Sequence, residues 1–476
     1  MQLSLLKAAL EKFRTRESGA MRHEIINITW PAFIELVMST LFGMVDMIMV
    51  GRLSPAAIAA VGLTNQPFFL LLAIFAAVNV GTTTLVAWNY GAGSMEKAKS
   101  VIRQVLMVNL VLGIIMSCIG FVFLRQVVTF MGANADTIEN ATVYFQIISS
   151  GLVFQAAATA VTASLRGAGE TKLPMLYNLG ANLFNVFGNY VLIYGKLGFP
   201  EWGVAGAAAS TTFSRFLSCA IGLYIIFNKK SIMSIPFRGS FKPNMEIIKQ
   251  VFKIGIPAAI EQFVLQSGLM MFARTVSSLG TIEFAAHQIG ININGLTFAP
   301  SMAFGVAATT LVGQSLGAGD EAKAQRYANI IHHIAIFTAC FMGVVFLIFS
   351  HPMARLYTDK GDVAAMSGTV LKIVALAQPG MSTQLSLAGA LRGAGDTRYP
   401  LYASAFGIWV FRVAVAHVFV AIFKWGLIGA WAALVLDQYT RAAIVYLRFR
   451  SGKWKHMKSR SSEVDKPGNN KSSCLA

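Results

Sequence analysis

Between Ile25 and Val50 the chain reads IINITWPAFIELVMSTLFGMVDMIMV, a stretch whose only ionisable residues are Glu35 and Asp46. As a helix it would be about 39 Å long, enough to cross a bilayer with some tilt. Glu35 and Asp46 are eleven residues apart, which returns them to nearly one helix face, roughly 16 Å apart along the axis. A carboxylate inside a membrane is costly and as a rule faces a bundle interior or a water-filled cavity, so the pair points to an ion or substrate pathway. The competing reading is structural: carboxylates capped by hydroxyls, or a helix that starts late and leaves Glu35 near the interface.

The elements that hold such acids follow from composition. With 476 residues, 55% hydrophobic and 13% charged, and a mean hydropathy of +0.60, the chain is too apolar for a soluble protein of its size. The net charge of +18 sits in short loops, which argues against a nucleic-acid partner. The cysteines Cys118, Cys219, Cys340 and Cys474 lack metal-ligand spacing and form no disulfide framework. Apolar segments at 25–50, 58–89, 100–124, 138–163, 173–195 and 203–228 are followed by 248–277, 283–315, 327–350, 363–390, 399–423 and 426–449. They predict an all-α integral membrane protein with twelve spans. Most of the 39 Lys and Arg fall in the termini and alternate loops, so both termini are expected in the cytoplasm of a multi-pass protein of the inner membrane.

The chain repeats itself. WPAFIE at Trp30–Glu35 recurs as IPAAIE at Ile256–Glu261, an offset of 226 that also carries Thr83–Val86 onto Thr309–Val312 and Gly91–Gly93 onto Gly317–Gly319. In the same register LRGAGETKLP at Leu165–Pro174 becomes LRGAGDTRYP at Leu391–Pro400, and after a three-residue deletion Gly203–Gly206 aligns with Gly426–Gly429. Two six-helix halves in one orientation follow, related by an axis along the membrane normal, with substrate between them. The boundaries read as an amphipathic tail (1–24), an amino-terminal lobe (25–228), a cytoplasmic linker (229–246), a carboxy-terminal lobe (247–450) and a polar tail (451–476). The repeated glycine motifs miss the phosphate-loop spacing; they read as helix stop, tight turn and helix start, with Arg166 and Arg392 anchoring the cytoplasmic interface.

VDMIMVGRL at Val45–Leu53, AAHQI at Ala285–Ile289, the paired LRGAG(E/D)T turns and GNYVLIYG at Gly188–Gly195 followed by GVAGAAAST together resemble the multidrug and toxic compound extrusion (MATE) family over roughly residues 20–450. The resemblance implies two lobes forming a V-shaped cavity and the expulsion of cationic and amphipathic compounds in exchange for inward H⁺ or Na⁺. The family's first-helix aspartate matches Asp46, a possible Na⁺ ligand, and its amino-lobe polar network maps onto Asn185, Asn189 and Thr211. Many relatives carry aspartate where this chain has Asn189. The norfloxacin-exporter branch places a glutamate and an aspartate where Leu265 and Met381 stand here.

Glu35 and Glu261, related by the repeat, are expected to face a shared central cavity and attract cationic substrate. His287 and Gln288 line that cavity or make a helix contact. Arg412, Asp437 and Arg441 form a structural charge network, the latter two spaced i, i+4, with Lys372 able to reach Asp437 or Glu261. His417 is expected to be packed. Met residues and Phe68, Phe69, Phe75, Phe298 and Phe304 offer a soft drug surface or simple lipid contact. Pro67, Pro300 and Pro379 fall inside spans and are candidate hinges. The expectation is a monomeric secondary exporter without a cofactor, in contact with lipids. A lipid-linked precursor flippase is the alternative transporter; an integral membrane enzyme is the remote one, because HExxH and GxSxG motifs are missing.

Overall fold

The computed structural model describes residues 2–130, 137–228, 231–236 and 242–457, with side chains from residue 18 onward apart from those of 55, 66, 69, 70 and 130. The first half comprises α1 (Gln2–Gly51), α2 (Pro55–Gly91), α3 (Met95–Val122), the short α4 (Leu124–Phe130), α5 (Ile138–Ser150), α6 (Leu152–Ala168), α7 (Lys172–Tyr194) and α8 (Gly203–Phe227). The second comprises α9 (Met245–Ser277), α10 (Thr281–Gly317), α11 (Glu321–Arg355), α12 (Gly361–Gly393), α13 (Arg398–Phe406), a π-helical stretch (Gly407–Val415), α14 (Ala416–Ala421) and α15 (Gly426–Arg450).

Among the described residues nine helices are long and apolar enough to span a membrane, and the pair α5–α6, bent by 45° at Gly151, makes a tenth. The expected twelve adds α7 and α15. Their polar content, Asn178, Asn182, Asn185 and Asn189 in one and Asp437, Gln438 and Arg441 in the other, is what sets them apart from the apolar spans. The expected surface helix at 1–24 is continuous with the first span. The side chains of 1–17 and the polar tail beyond 457 lie outside the described residues, as do 229–230 and 237–241 of the linker and the side chain of Phe69.

Each LRGAG(E/D)T turn caps a helix. Gly169 and Gly395 take φ of 90° and 81°, a left-handed conformation that glycine adopts without strain. Glu170 N bonds to Leu165 O at 2.9 Å, and Asp396 N to Leu391 O at 2.8 Å, closing the helix ends alike. The acid of each turn then ties down a neighbour. Glu170 accepts from Ile232 N at 2.9 Å and from the Ser231 hydroxyl; Asp396 accepts from Arg448 Nε at 2.7 Å.

The halves meet along α2 and α10, where small residues let backbones touch. A side chain in place of Gly91 would collide with the Gln314 carbonyl, and one in place of Gly317 with that of Trp88. Around this seam the core is Val312, Leu316, Ala390 and Leu391 on one side and Val86, Val101, Leu165 and Ala168 on the other.

Candidate functional site

The amino-terminal half encloses a cavity of about 440 Å³ between α1, α2, α6, α7 and α8. Glu35 and Asp46 both line it, as the one-face spacing predicts, and so do Asn185 and Thr211. Asn189, fully buried on α7, donates its amide to Asp46. Its own carbonyl oxygen Oδ1 is buried with no hydrogen-bond partner among the described residues. One turn away Asn185 Nδ2 donates to Thr211 Oγ1 at 3.2 Å and to Ser210 Oγ at 3.3 Å, and Ser210 Oγ returns a bond to the Asn185 carbonyl at 2.8 Å. The array is rich in acceptor oxygens beside a carboxylate, which is what a hard cation or a proton requires.

The cavity also holds two arginines. Arg166 Nη2 lies 2.8 Å from Glu35 Oε2, and Asn178 Nδ2 donates to Glu35 Oε1 at 2.7 Å. Arg166 therefore corrects an expectation: its main chain closes the turn after α6, but its guanidinium reaches back along the helix to pair with Glu35. Arg392 does the same with Glu261, donating to both oxygens at 2.9 and 2.8 Å. Arg215, which sequence reading left without a role, lies over the Phe68 ring at 4.5 Å, and its Nη1 is buried with no hydrogen-bond partner among the described residues. It shares the cavity wall with Asp46.

The repeat is reproduced at the level of bonds. Asn178 on Glu35 corresponds to Ser404 on Glu261, at 3.0 Å. Ser218 Oγ donates to Asn178 at 2.7 Å, and its counterpart Arg441 donates to Ser404 Oγ at 3.2 Å. Two centres of the same plan, each built on a Glu–Arg pair, thus lie in the two halves.

Glu35 and Glu261 do not share one cavity, a second correction. Glu261, 1% exposed, lines an adjoining space of about 290 Å³ between the halves together with Arg392 and Arg166, while Glu35 faces the amino-terminal cavity. Thr159, Thr162 and Arg166 line both spaces. The physical reason is the ion pair itself, which draws each glutamate toward the arginine of its own half.

His287 and Gln288 do not line these cavities. His287 is fully buried against the rings of Phe272, Phe284 and Trp431, 5.5, 6.1 and 5.4 Å away, with both ring nitrogens lacking a hydrogen-bond partner among the described residues. Gln288, the next residue on the helix, is exposed. Phe272 is the repeat image of Asp46, so aromatic packing takes the place where the other half keeps its aspartate. Arg412 Nη2 pairs with Asp437 Oδ2 at 2.7 Å, and Arg441 Nη1 approaches the same oxygen at 3.9 Å. Lys372 and His417 are exposed, the first outside this network and the second not packed as expected. Pro67, Pro300 and Pro379 lie within α2, α10 and α12, each of which continues through its proline.

The MatE family model matches residues 31–191 and again 257–418, two stretches that begin at the repeat offset of 226, and the protein belongs to this family, whose members are transporters and not enzymes. It is 33% identical to a probable multidrug resistance protein NorM of Thermotoga maritima over 95% of this chain and 97% of that one. It is 27% identical to the uncharacterized transporter YisQ of Bacillus subtilis over 90% and 94%, and 29% identical to the multidrug resistance protein PmpM of Pseudomonas aeruginosa over 89% of each. The fold matches an outward-facing multidrug resistance MATE family transporter of the MOP superfamily with a TM-score of 0.86, at 24% identity over 92% of this chain and 96% of that one.

Proposed function

We propose that this protein exports cationic or amphipathic organic compounds across the cytoplasmic membrane in exchange for inward H⁺ or Na⁺, by alternating access, as a monomer with both termini in the cytoplasm and without a cofactor. The observation that carries the reading is the Asp46–Asn189 pair, a membrane-embedded carboxylate beside a buried amide oxygen with no donor among the described residues, at the wall of a 440 Å³ cavity. An unsatisfied acceptor next to a carboxylate costs free energy until a proton or cation arrives. A site that both an ion and a cationic compound can neutralise, but not together, gives exchange. The relatives named as multidrug resistance proteins support export of varied compounds.

Arg215 serves as the internal counter-charge. Resting on Phe68 and facing the same cavity, it limits the free negative potential of Asp46 when no ion is bound. Lipid contact is carried by exposed apolar residues such as Phe337, Phe341 and Ile348 on α11.

The test is transport in proteoliposomes with an imposed H⁺ or Na⁺ gradient. Uptake of a fluorescent organic cation should follow one of the two gradients and vanish in Asp46→Asn at normal membrane insertion. Full gradient-driven transport by that variant would overturn the assignment.

A further inference from the structure

The two Glu–Arg pairs are joined to the seam between the halves by a set of reciprocal bonds. Thr84 Oγ1 on α2 donates to the Arg392 carbonyl at 2.9 Å, and its repeat image Thr310 Oγ1 on α10 donates to the Arg166 carbonyl at 2.8 Å. Trp88 Nε1 donates to the Gly393 carbonyl at 2.8 Å, and its image Gln314 Nε2 to the Gly167 carbonyl at 3.0 Å. Each of the four bonds crosses from one half to the other. All lie at the helix ends that the charge asymmetry assigns to the cytoplasm.

The acceptors are among the last carbonyls of α6 and α12, where a helix terminus runs short of internal donors; those of Arg166 and Arg392 also accept from Gly169 N at 3.0 Å and Gly395 N at 2.9 Å in their own turns. The side-chain donor added at each of them belongs to the opposite half. The same two residues, Arg166 and Arg392, carry the guanidiniums bound to Glu35 and Glu261. Each arginine thus has its side chain fixed within its own half and its main chain held by the other. Thr83 and Thr309, next to the crossing threonines, donate instead within their own half, to the Ala163 and Gly389 carbonyls at 3.1 and 2.9 Å. The end of α6 is therefore held from both halves by Thr83 and Thr310, and that of α12 by Thr309 and Thr84.

We propose that Arg166 and Arg392 are gate-positioning residues: their glutamate pairs fix the helix ends whose carbonyls hold the cytoplasmic side closed, so that neutralising the glutamates weakens the closure. This rests on the alternating-access reading of the protein. When a glutamate loses its charge, the arginine loses its anchor, the last turn of α6 or α12 shifts, and the carbonyl no longer meets the threonine hydroxyl opposite. Because the two pairs share the plan and act on one seam, either of them loosens it and both together loosen it most.

The test uses the full chain in nanodiscs, with its four cysteines replaced and spin labels at Glu96→Cys and Ala322→Cys, repeat-related exposed positions on α3 and α11 near the seam. Distances between the labels are measured with and without an organic cation. The native background should give a short distance that is partly exchanged for a longer one on adding the cation. In Glu35→Gln/Glu261→Gln the longer population should rise about fivefold without added compound. Thr84→Val/Thr310→Val, which keeps shape and both ion pairs, should do the same and serves where the glutamine variant fails to fold. A native protein that exchanges distances while the variants keep its resting populations overturns the gate proposal alone. A native protein that transports with one invariant distance overturns alternating access at this seam, and the gate with it.

Discussion

Asp437 shows how a buried charge cluster constrains its members. It is wholly buried with Arg412 2.7 Å and Arg441 3.9 Å away. Removing the acid strands two guanidiniums in a low-dielectric interior, and breaking such a pair costs about 3–5 kcal/mol. Asp437→Asn should therefore lower the thermal denaturation midpoint of the solubilised protein well below that of Lys372→Gln, which alters an exposed charge outside the network. Asn189 calls for a different measurement. Asn189→Leu takes the donor from Asp46 and the orphan oxygen with it. Transport should fall at least about tenfold, the size of effect expected when one well-placed polar partner of a functional group is lost, while the protein stays monodisperse in detergent.

At the scale of the helix, the packing of α2, α6, α10 and α12 depends on glycines that admit a neighbouring backbone. A Cβ at Gly167 would sit 2.7 Å from the Thr83 carbonyl, and at Gly393 it would collide with the Thr309 carbonyl. At Gly43 and Gly180 it would meet nothing within 4 Å. Overpacking a fitted contact costs typically about 1–3 kcal/mol. Gly167→Ala and Gly393→Ala should therefore reduce the yield of folded protein in fluorescence-detected gel filtration, and Gly43→Ala and Gly180→Ala should not. The helices also have their own points of flexure. Gly151 between α5 and α6 and the π-helical stretch Gly407–Val415 break the regular bond ladder in this conformation. Pro67, Pro300 and Pro379 lie inside uninterrupted helices. If they are hinges, α2, α10 and α12 will differ in axis direction at those residues between inward-open and outward-open conformers, and helices straight in both would remove them from the mechanism.

For the whole molecule the charge distribution and the repeat make one topological statement. A cysteine at Glu96, exposed in the first turn of α3, should react with a membrane-impermeant maleimide only from the cytoplasmic side. A cysteine at Glu201, in the loop joining α7 to α8, should react only from outside. Labelling with the sides exchanged would invert the orientation on which the cytoplasmic gate depends.

Much of this was legible in the sequence because membrane burial writes itself into composition. Apolar runs fix where helices cross, since lipid leaves the backbone no other way to satisfy its polar groups. A 226-residue repeat without gaps over most of its length fixes the pairing of Glu35 with Glu261 and of Arg166 with Arg392. Periodicity put Glu35 and Asp46 on one face, and the structure keeps both on one cavity. The bonds between distant segments were not legible. Arg166 lies 131 residues from Glu35, and a side chain that leaves a turn and reaches back along its own helix carries no local signature. His287 illustrates the converse, a polar residue in a family-like motif that ends among Phe272, Phe284 and Trp431. The sequence by itself determined the spans, their symmetry and the presence of acids in oil. Only the tertiary structure decided which arginine neutralises each acid and which main-chain carbonyls join the halves, because a long side chain's partner is set by the packing of helices that the chain order does not make neighbours.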